Sequence, residues 1–184
     1  MVALAAWGLM VGVLSSCYSS LSYNDAIQKN ISRADSPDMH DDARFVADAA
    51  SYNLLATQAA EKAIESGYSA TVVNLAKETL KQQELVRKDL KRIARREDMV
   101  LPAEMSEEHE RLLSELKAAG RDQFDRTFVR VLMEVNNKDR RRFEEMATDA
   151  KSDDIRAFAA RQIGHFDTYR SQLQTVDAEL LRTY

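Results

Sequence analysis

The most specific chemistry in this sequence belongs to a single thiol. Cys17 is the one cysteine in 184 residues, and it closes the run Leu14-Ser15-Ser16-Cys17. Ahead of it lies VALAAWGLMVGVL, Val2 to Leu14, and no charged residue occurs before Asp25. Thirteen apolar residues are too few to cross a ~30 Å hydrocarbon layer as a helix, but they suit the apolar stretch of an export signal. The last four resemble the bacterial lipobox, where small side chains let a peptidase reach the bond and the thiol takes up diacylglycerol. The expectation is therefore a lipoprotein signal peptide over 1–16, with the membrane engaged through acylated Cys17. Each buried methylene would contribute ~0.8 kcal/mol to that anchorage. Tyr18 rather than Asp follows the cysteine, which for a Gram-negative lipoprotein implies the outer membrane, facing the periplasm. An ordinary signal peptide or a short buried apolar segment is the alternative, since no Lys or Arg precedes the run.

The other chemically capable side chains are sparse. One cysteine excludes an intrachain disulfide and a Cys-rich zinc site. Three histidines occur, His40, His109 and His165. Glu107-Glu108-His109 could touch a metal at the surface, but such a trio reads first as a solvated helix start. His165, three residues after Gln162, reads as a structural histidine. Asp139-Arg140-Arg141-Arg142, followed by Glu144 and Glu145, reads as an ion-paired surface. No Gly-rich phosphate loop, dinucleotide fingerprint or G-x-S-x-G elbow is present, so nothing marks a nucleotide site or a serine hydrolase. No catalytic residue, metal ligand set or cofactor is expected. A net charge of −4 argues against nucleic acid as a partner.

Elements that must position these residues follow from composition and period. Only 5 Gly and 2 Pro leave too few turn-makers for an all-β fold, whereas Ala, Leu, Glu, Lys, Arg, Gln and Met favour helix. Residues 18–39 are polar and lack a sustained period, and 17–39 reads as a flexible tether, with at most a helical turn near Asp25–Asn30. From residue 40 onward the apolar period is helical. Helices are expected over 42–66, ended by Gly67; from a Ser69 cap to 96; over 122–150; and from 153 almost to the end. Their inner stripes are Phe45, Ala49, Tyr52, Ala56, Ala59 and Ala63; then Val72, Ala76, Thr79, Gln83, Val86, Leu90 and Ile93. In the second half they are Phe124, Phe128, Leu132, Val135, Phe143 and Met146; then Ile155, Phe158, Gln162, Phe166, Tyr169, Leu173, Val176 and Leu180. Pro102 interrupts the long connection, and Ser106 opens a short helix within it, closed by Gly120. Gly164 marks either a bend or a close helix approach. Four rods of this spacing pack as a left-handed bundle, and the connection over 97–121 is long enough to run the bundle's length as a crossover. An up-down bundle with a decorated loop is the alternative.

Gln83 and Tyr169 fall on inner stripes, and Asn136 lies one turn beyond Leu132. Buried amides and phenols need partners, because each unsatisfied group costs ~1–3 kcal/mol. These three are expected to converge as a hydrogen-bonded polar layer, unless the stripes rotate and their tips reach solvent separately.

Phe45-Val46 with Ala49-Ala50, Val73-Asn74-Leu75-Ala76, Leu101-Pro102, Phe124-Asp125 and Phe158-Ala159-Ala160 are similar, in order and spacing, to the bacterial envelope family called domain of unknown function 4142. The resemblance runs over about residues 43–180. It implies an all-α, ferritin-like antiparallel four-helix bundle with one long crossover carrying a short helix, here spanning 40–184, and an exported or lipid-anchored protein. It also implies an acidic position at Ala56, an Asp-His pair at Gln82-Gln83, and histidines at Asn136 and Tyr169. All four are replaced here by side chains that make poor ligands for transition metals.

The expected function is that of a lipid-anchored, non-enzymatic binding or structural module whose protein or small-molecule partner the sequence does not name. A metal-binding or metal-oxidising protein is the alternative, and would need inward carboxylates such as Glu78, Glu84, Asp139 or Glu144. A periplasmic chaperone or stress sensor is a further one, and would need an exposed apolar patch of several hundred Å².

Overall fold

The structure, a computed structural model, describes residues 21–183, and among them are six α-helices and no strand. They are α1 (Tyr23–Arg33), α2 (His40–Ser66), α3 (Ala70–Arg96), α4 (Glu107–Ala118), α5 (Arg121–Asp149) and α6 (Asp153–Thr183), with a 3-10 turn at Pro37–Met39 before α2. The expected lipidation at Cys17 and signal peptide over 1–16 lie outside the described residues. No described helix is long and apolar enough to cross a membrane.

Four serines start helices in the same way. The hydroxyls of Ser22, Ser69, Ser106 and Ser152 accept from the N–H groups of Asp25, Thr71, His109 and Ile155, donors that a helix start leaves without a carbonyl. Gly67 closes α2 by donating to the Ala63 carbonyl at 2.9 Å. A Cβ at Gly67 would lie 2.5 Å from that same oxygen, so this turn excludes any side chain. A Cβ at Gly164 would meet nothing within 4 Å, so the close helix approach expected there is corrected.

The inner stripes read from the period are all buried, except that Tyr169 is only partly so. On α2 the small side chains of Ala49, Ala56, Ala59 and Ala63 are all buried in the core. Facing them, Phe143 stacks edge-on against Phe45 (4.8 Å between centroids) and Phe166 (4.9 Å), and Phe166 meets Tyr52 at 5.2 Å. This aromatic file from three helices fills the middle of the core.

Two hairpins, α2–α3 and α5–α6, pack so that α2 adjoins α5 and α3 adjoins α6. Two aspartates fix their relative direction. Asp42, in the first turn of α2, accepts from the N–H groups of Lys151 and Ser152 at the start of α6. Asp125, in the first turns of α5, accepts from Tyr68 and Ser69 at the start of α3. Each hairpin thus contributes a buried carboxylate to the positive end of a helix in the other. The start of α2 therefore sits at the end of α5, and the two run antiparallel. At the far seam Arg96, ending α3, pairs with Asp154, opening α6, at 2.8 Å. The α3–α5 connection travels the length of the bundle, and its helix α4 packs against both α2 and α5.

The tether reading is corrected from residue 21 onward. Residues 23–33 form α1, which packs on α2. Ala26 is buried, and Asn30, 1% exposed, bonds both polar groups of Val100: its Nδ2 donates to the carbonyl at 3.0 Å and its Oδ1 accepts from the N–H at 2.7 Å. Arg33 donates to the carbonyl of Asp98 at 3.2 Å. Asp98 holds φ 48° just past α3, a left-handed cap that short polar residues tolerate.

Candidate functional site

Four long helices place their polar core residues at one height, near the middle of each rod. Thr79 and Gln83 come from α3, Tyr52 and Asn53 from α2, Asn136 from α5, and Gln162 and Tyr169 from α6. All but Tyr169 are buried. The three residues expected to form a layer do not bond to one another. Gln83 accepts at Oε1 from Asn53 Nδ2 (2.9 Å), which also donates to the Gln83 carbonyl (2.7 Å). Tyr169 bonds the Thr79 hydroxyl at 3.0 Å, and Thr79 also reaches the Leu75 carbonyl. Asn136 donates to the Phe166 carbonyl at 3.2 Å, and its Oδ1 has no partner. The mutual plug is therefore corrected: these residues take separate partners, Asn53 for Gln83, Thr79 for Tyr169 and the Phe166 carbonyl for Asn136.

The α3–α6 side holds a half-open cavity of about 200 Å³. Tyr52, Thr79, Gln83, Gln162, Phe166 and Tyr169 line its interior, so Gln83 and Tyr169 share it and Asn136 does not. At its rim the Gln172 amide donates to Glu78 at 3.2 Å, a strap from α6 to α3. His165 is exposed at the same rim, which corrects its reading as a structural histidine. Gln162 is 7% exposed, and its amide bonds nothing among the described residues. Burial holds both phenols protonated. Tyr52 is raised well above its ordinary range by desolvation and then by Tyr169, and Tyr169 is raised by desolvation, against a small opposing effect of the Thr79 hydrogen bond. The cavity interior thus carries no formal charge at neutral pH.

A second polar cluster sits where α1, α2, α4 and α5 meet, around a cleft of about 480 Å³. His109 is 6% exposed there, not solvated as a helix-start residue would be, and that reading is corrected. Its Nδ1 lies 2.7 Å from the Ser51 hydroxyl, and its Nε2 lies 3.5 Å from Asp139 Oδ2. The residue types are those of a hydrolytic triad, but the geometry is that of a strut. Ser51 also accepts from the Ser106 N–H at 2.9 Å, and it is completely buried. Its hydroxyl is thus committed to tying the start of α4 onto α2. Nearby, Tyr23 from α1 donates to Asp48, which also pairs with Arg142 at 3.7 Å. Burial raises the Asp48 carboxyl, and the Tyr23 hydrogen bond and Arg142 offset this only in part. Asp139 and Arg142 face this cleft rather than open solvent, which corrects part of the surface reading for 139–142.

Neither region suits a carboxylate-bridged metal pair. The waist supplies neutral amides and hydroxyls, weak ligands for iron, manganese or zinc. Among the described residues no three His, Cys, Asp or Glu side chains stand together so as to hold a metal ion. Glu78 bonds Gln172, Glu84 pairs with Lys88, Glu144 pairs with Arg140, and Asp139 lies by His109. These four carboxylates do not converge.

The fold and this site define an all-helical bundle with an uncharged polar waist. The chain belongs to the family described as Domain of unknown function (DUF4142), whose model matches residues 28–176. No match was found among curated proteins or among solved structures.

Proposed function

We propose that this protein is a non-enzymatic binding module of the bacterial cell envelope, carried by a ferritin-like four-helix bundle and held to the outer membrane by lipid on Cys17, facing the periplasm. The carrying observation is the waist cavity: at the height where a bundle of this kind would place metal ligands, it presents neutral, partly unpaired hydrogen-bonding groups. Amides and phenols hold a ligand by hydrogen bonds; at neutral pH they supply neither a general base nor a metal-polarised water. The scaffold part of the reading is supported by the pairing of α2 with α5 and α3 with α6, and by a crossover along the bundle, the arrangement of ferritin-like folds. The anchoring part rests on Leu14-Ser15-Ser16-Cys17 after an uncharged apolar run.

The full chain expressed in a Gram-negative host and labelled with radioactive palmitate tests the anchor. Label is expected on the wild type in the outer-membrane fraction, and Cys17→Ala is expected to lose both label and sedimentation with membranes. An unlabelled wild type would end the lipid reading. Elemental analysis of the same preparation is expected to find iron, manganese and zinc each far below one equivalent. A stoichiometric, tightly held ion would return the protein to the metal-binding class.

A further inference from the structure

We propose that the α3–α6 waist cavity binds one small, flat, uncharged molecule with an amide-like edge, a carbonyl next to an N–H. This deepens the binding reading above and rests on it. Size comes first: an apolar cavity of ~150 Å³ accepts one benzene ring, so about 200 Å³ takes a single ring with a short polar substituent. Shape follows from the walls, since the Tyr52 and Phe166 rings, 5.2 Å apart and tilted by 46°, both line it and offer aromatic contact to a ligand ring.

Charge is decided by what the interior lacks. No ionised group lines it beyond the rim, and the two phenols stay protonated. An ionic ligand would shed its hydration there without a counter-charge. The polar edge follows from the amides. Gln162 offers both a donor and an acceptor, and among the described residues neither is taken up. Gln83 has its oxygen occupied by Asn53, which leaves its Nε2 group to donate. Together they present two donors and an acceptor in the cavity, the complement of a carbonyl beside an N–H. A ligand with this edge would replace the water that reaches these amides through the open mouth with matched hydrogen bonds inside the pocket.

The test uses the full chain in detergent and two probes of one shape, benzamide and benzoate. The side-chain ¹H–¹⁵N signals of Gln83 and Gln162 are followed through each titration. Benzamide is expected to move both pairs of signals to saturation, and benzoate to bind at least about tenfold more weakly. Gln162→Leu, which keeps the volume and removes the amide, is expected to weaken benzamide by about tenfold or more while unfolding no earlier than wild type. The proposal is overturned if benzamide gives no saturable shift, if the two probes bind alike, or if Gln162→Leu binds benzamide as wild type does. The first two results need no variant. An unlabelled Cys17 with intact benzamide binding would defeat the anchor alone, and an acylated chain that ignores benzamide would defeat the ligand class alone.

Discussion

Asp48 is a carboxyl that this fold makes reluctant to ionise. Burial outweighs the Tyr23 hydrogen bond and the Arg142 guanidinium, so the proton is held more tightly in the folded chain than in the unfolded one. An acid raised in this way contributes fully below its unfolded value of ~3.9, and the contribution is lost as pH climbs through the raised one. At neutral pH the ionised Asp48 therefore weakens the fold. Asp48→Asn keeps an oxygen for Tyr23 and is expected to raise the melting temperature at pH 7, with the gain shrinking toward zero below about pH 4. Melting curves at the two pH values decide it; an equal gain at both would place the effect elsewhere. None of this was legible in the sequence, because Tyr23 lies 25 residues from Asp48 in a stretch that has no period. Gln83, Gln162 and Tyr169 were legible as core positions, since the helical period alone carries them inward. Their partners were not: Asn53 lies off the α2 stripe, and only the way α2 and α3 meet brings it to Gln83.

At the scale of elements, the long helices were readable to within two or three residues, because capping serines, Gly67 and stripe periods are local signals. α1 and α4 show where local signals stop. α1 is polar on most of its surface and buries only Ala26 and Asn30, too little apolar area to reveal a docked helix. Its attachment depends on Asn30 satisfying both groups of Val100, 70 residues away. Asn30→Ala removes both hydrogen bonds from that partly buried peptide and is expected to cost about 1–3 kcal/mol of local stability. Hydrogen exchange should then speed up over 23–33 and around Val100 while α5 stays protected; unchanged exchange in α1 would show that its docking rests on something else. α4 begins with acidic residues, as a solvated helix would, yet its contact with both α2 and α5 buries His109. The acidic start reflects the helix dipole and says nothing about which face is covered.

For the molecule as a whole, the docking of one hairpin on the other depends on two buried carboxylates at opposite ends. Asp125 satisfies two backbone N–H groups at the α2–α3 turn, and hydrogen bonds to charged groups contribute ~1.5–3 kcal/mol each. Asp125→Ala is therefore expected to lower unfolding stability in urea by about 2–4 kcal/mol. Asp125→Asn, with one acceptor oxygen left, should recover part of that loss. An alanine variant as stable as wild type would mean that core packing alone sets the hairpin arrangement. By itself the sequence determined the helical class, the long rods, their inner faces, the uncharged character of the waist and the family, because each follows from short-range period, propensity and residue type. Only the tertiary structure decided that residues 23–33 belong to the body, that His109 is covered, and that Gln162 faces an open cavity with no partner among the described residues. Those outcomes turn on which surfaces meet across tens of residues, and side-chain spacing along one helix does not encode its neighbour's position.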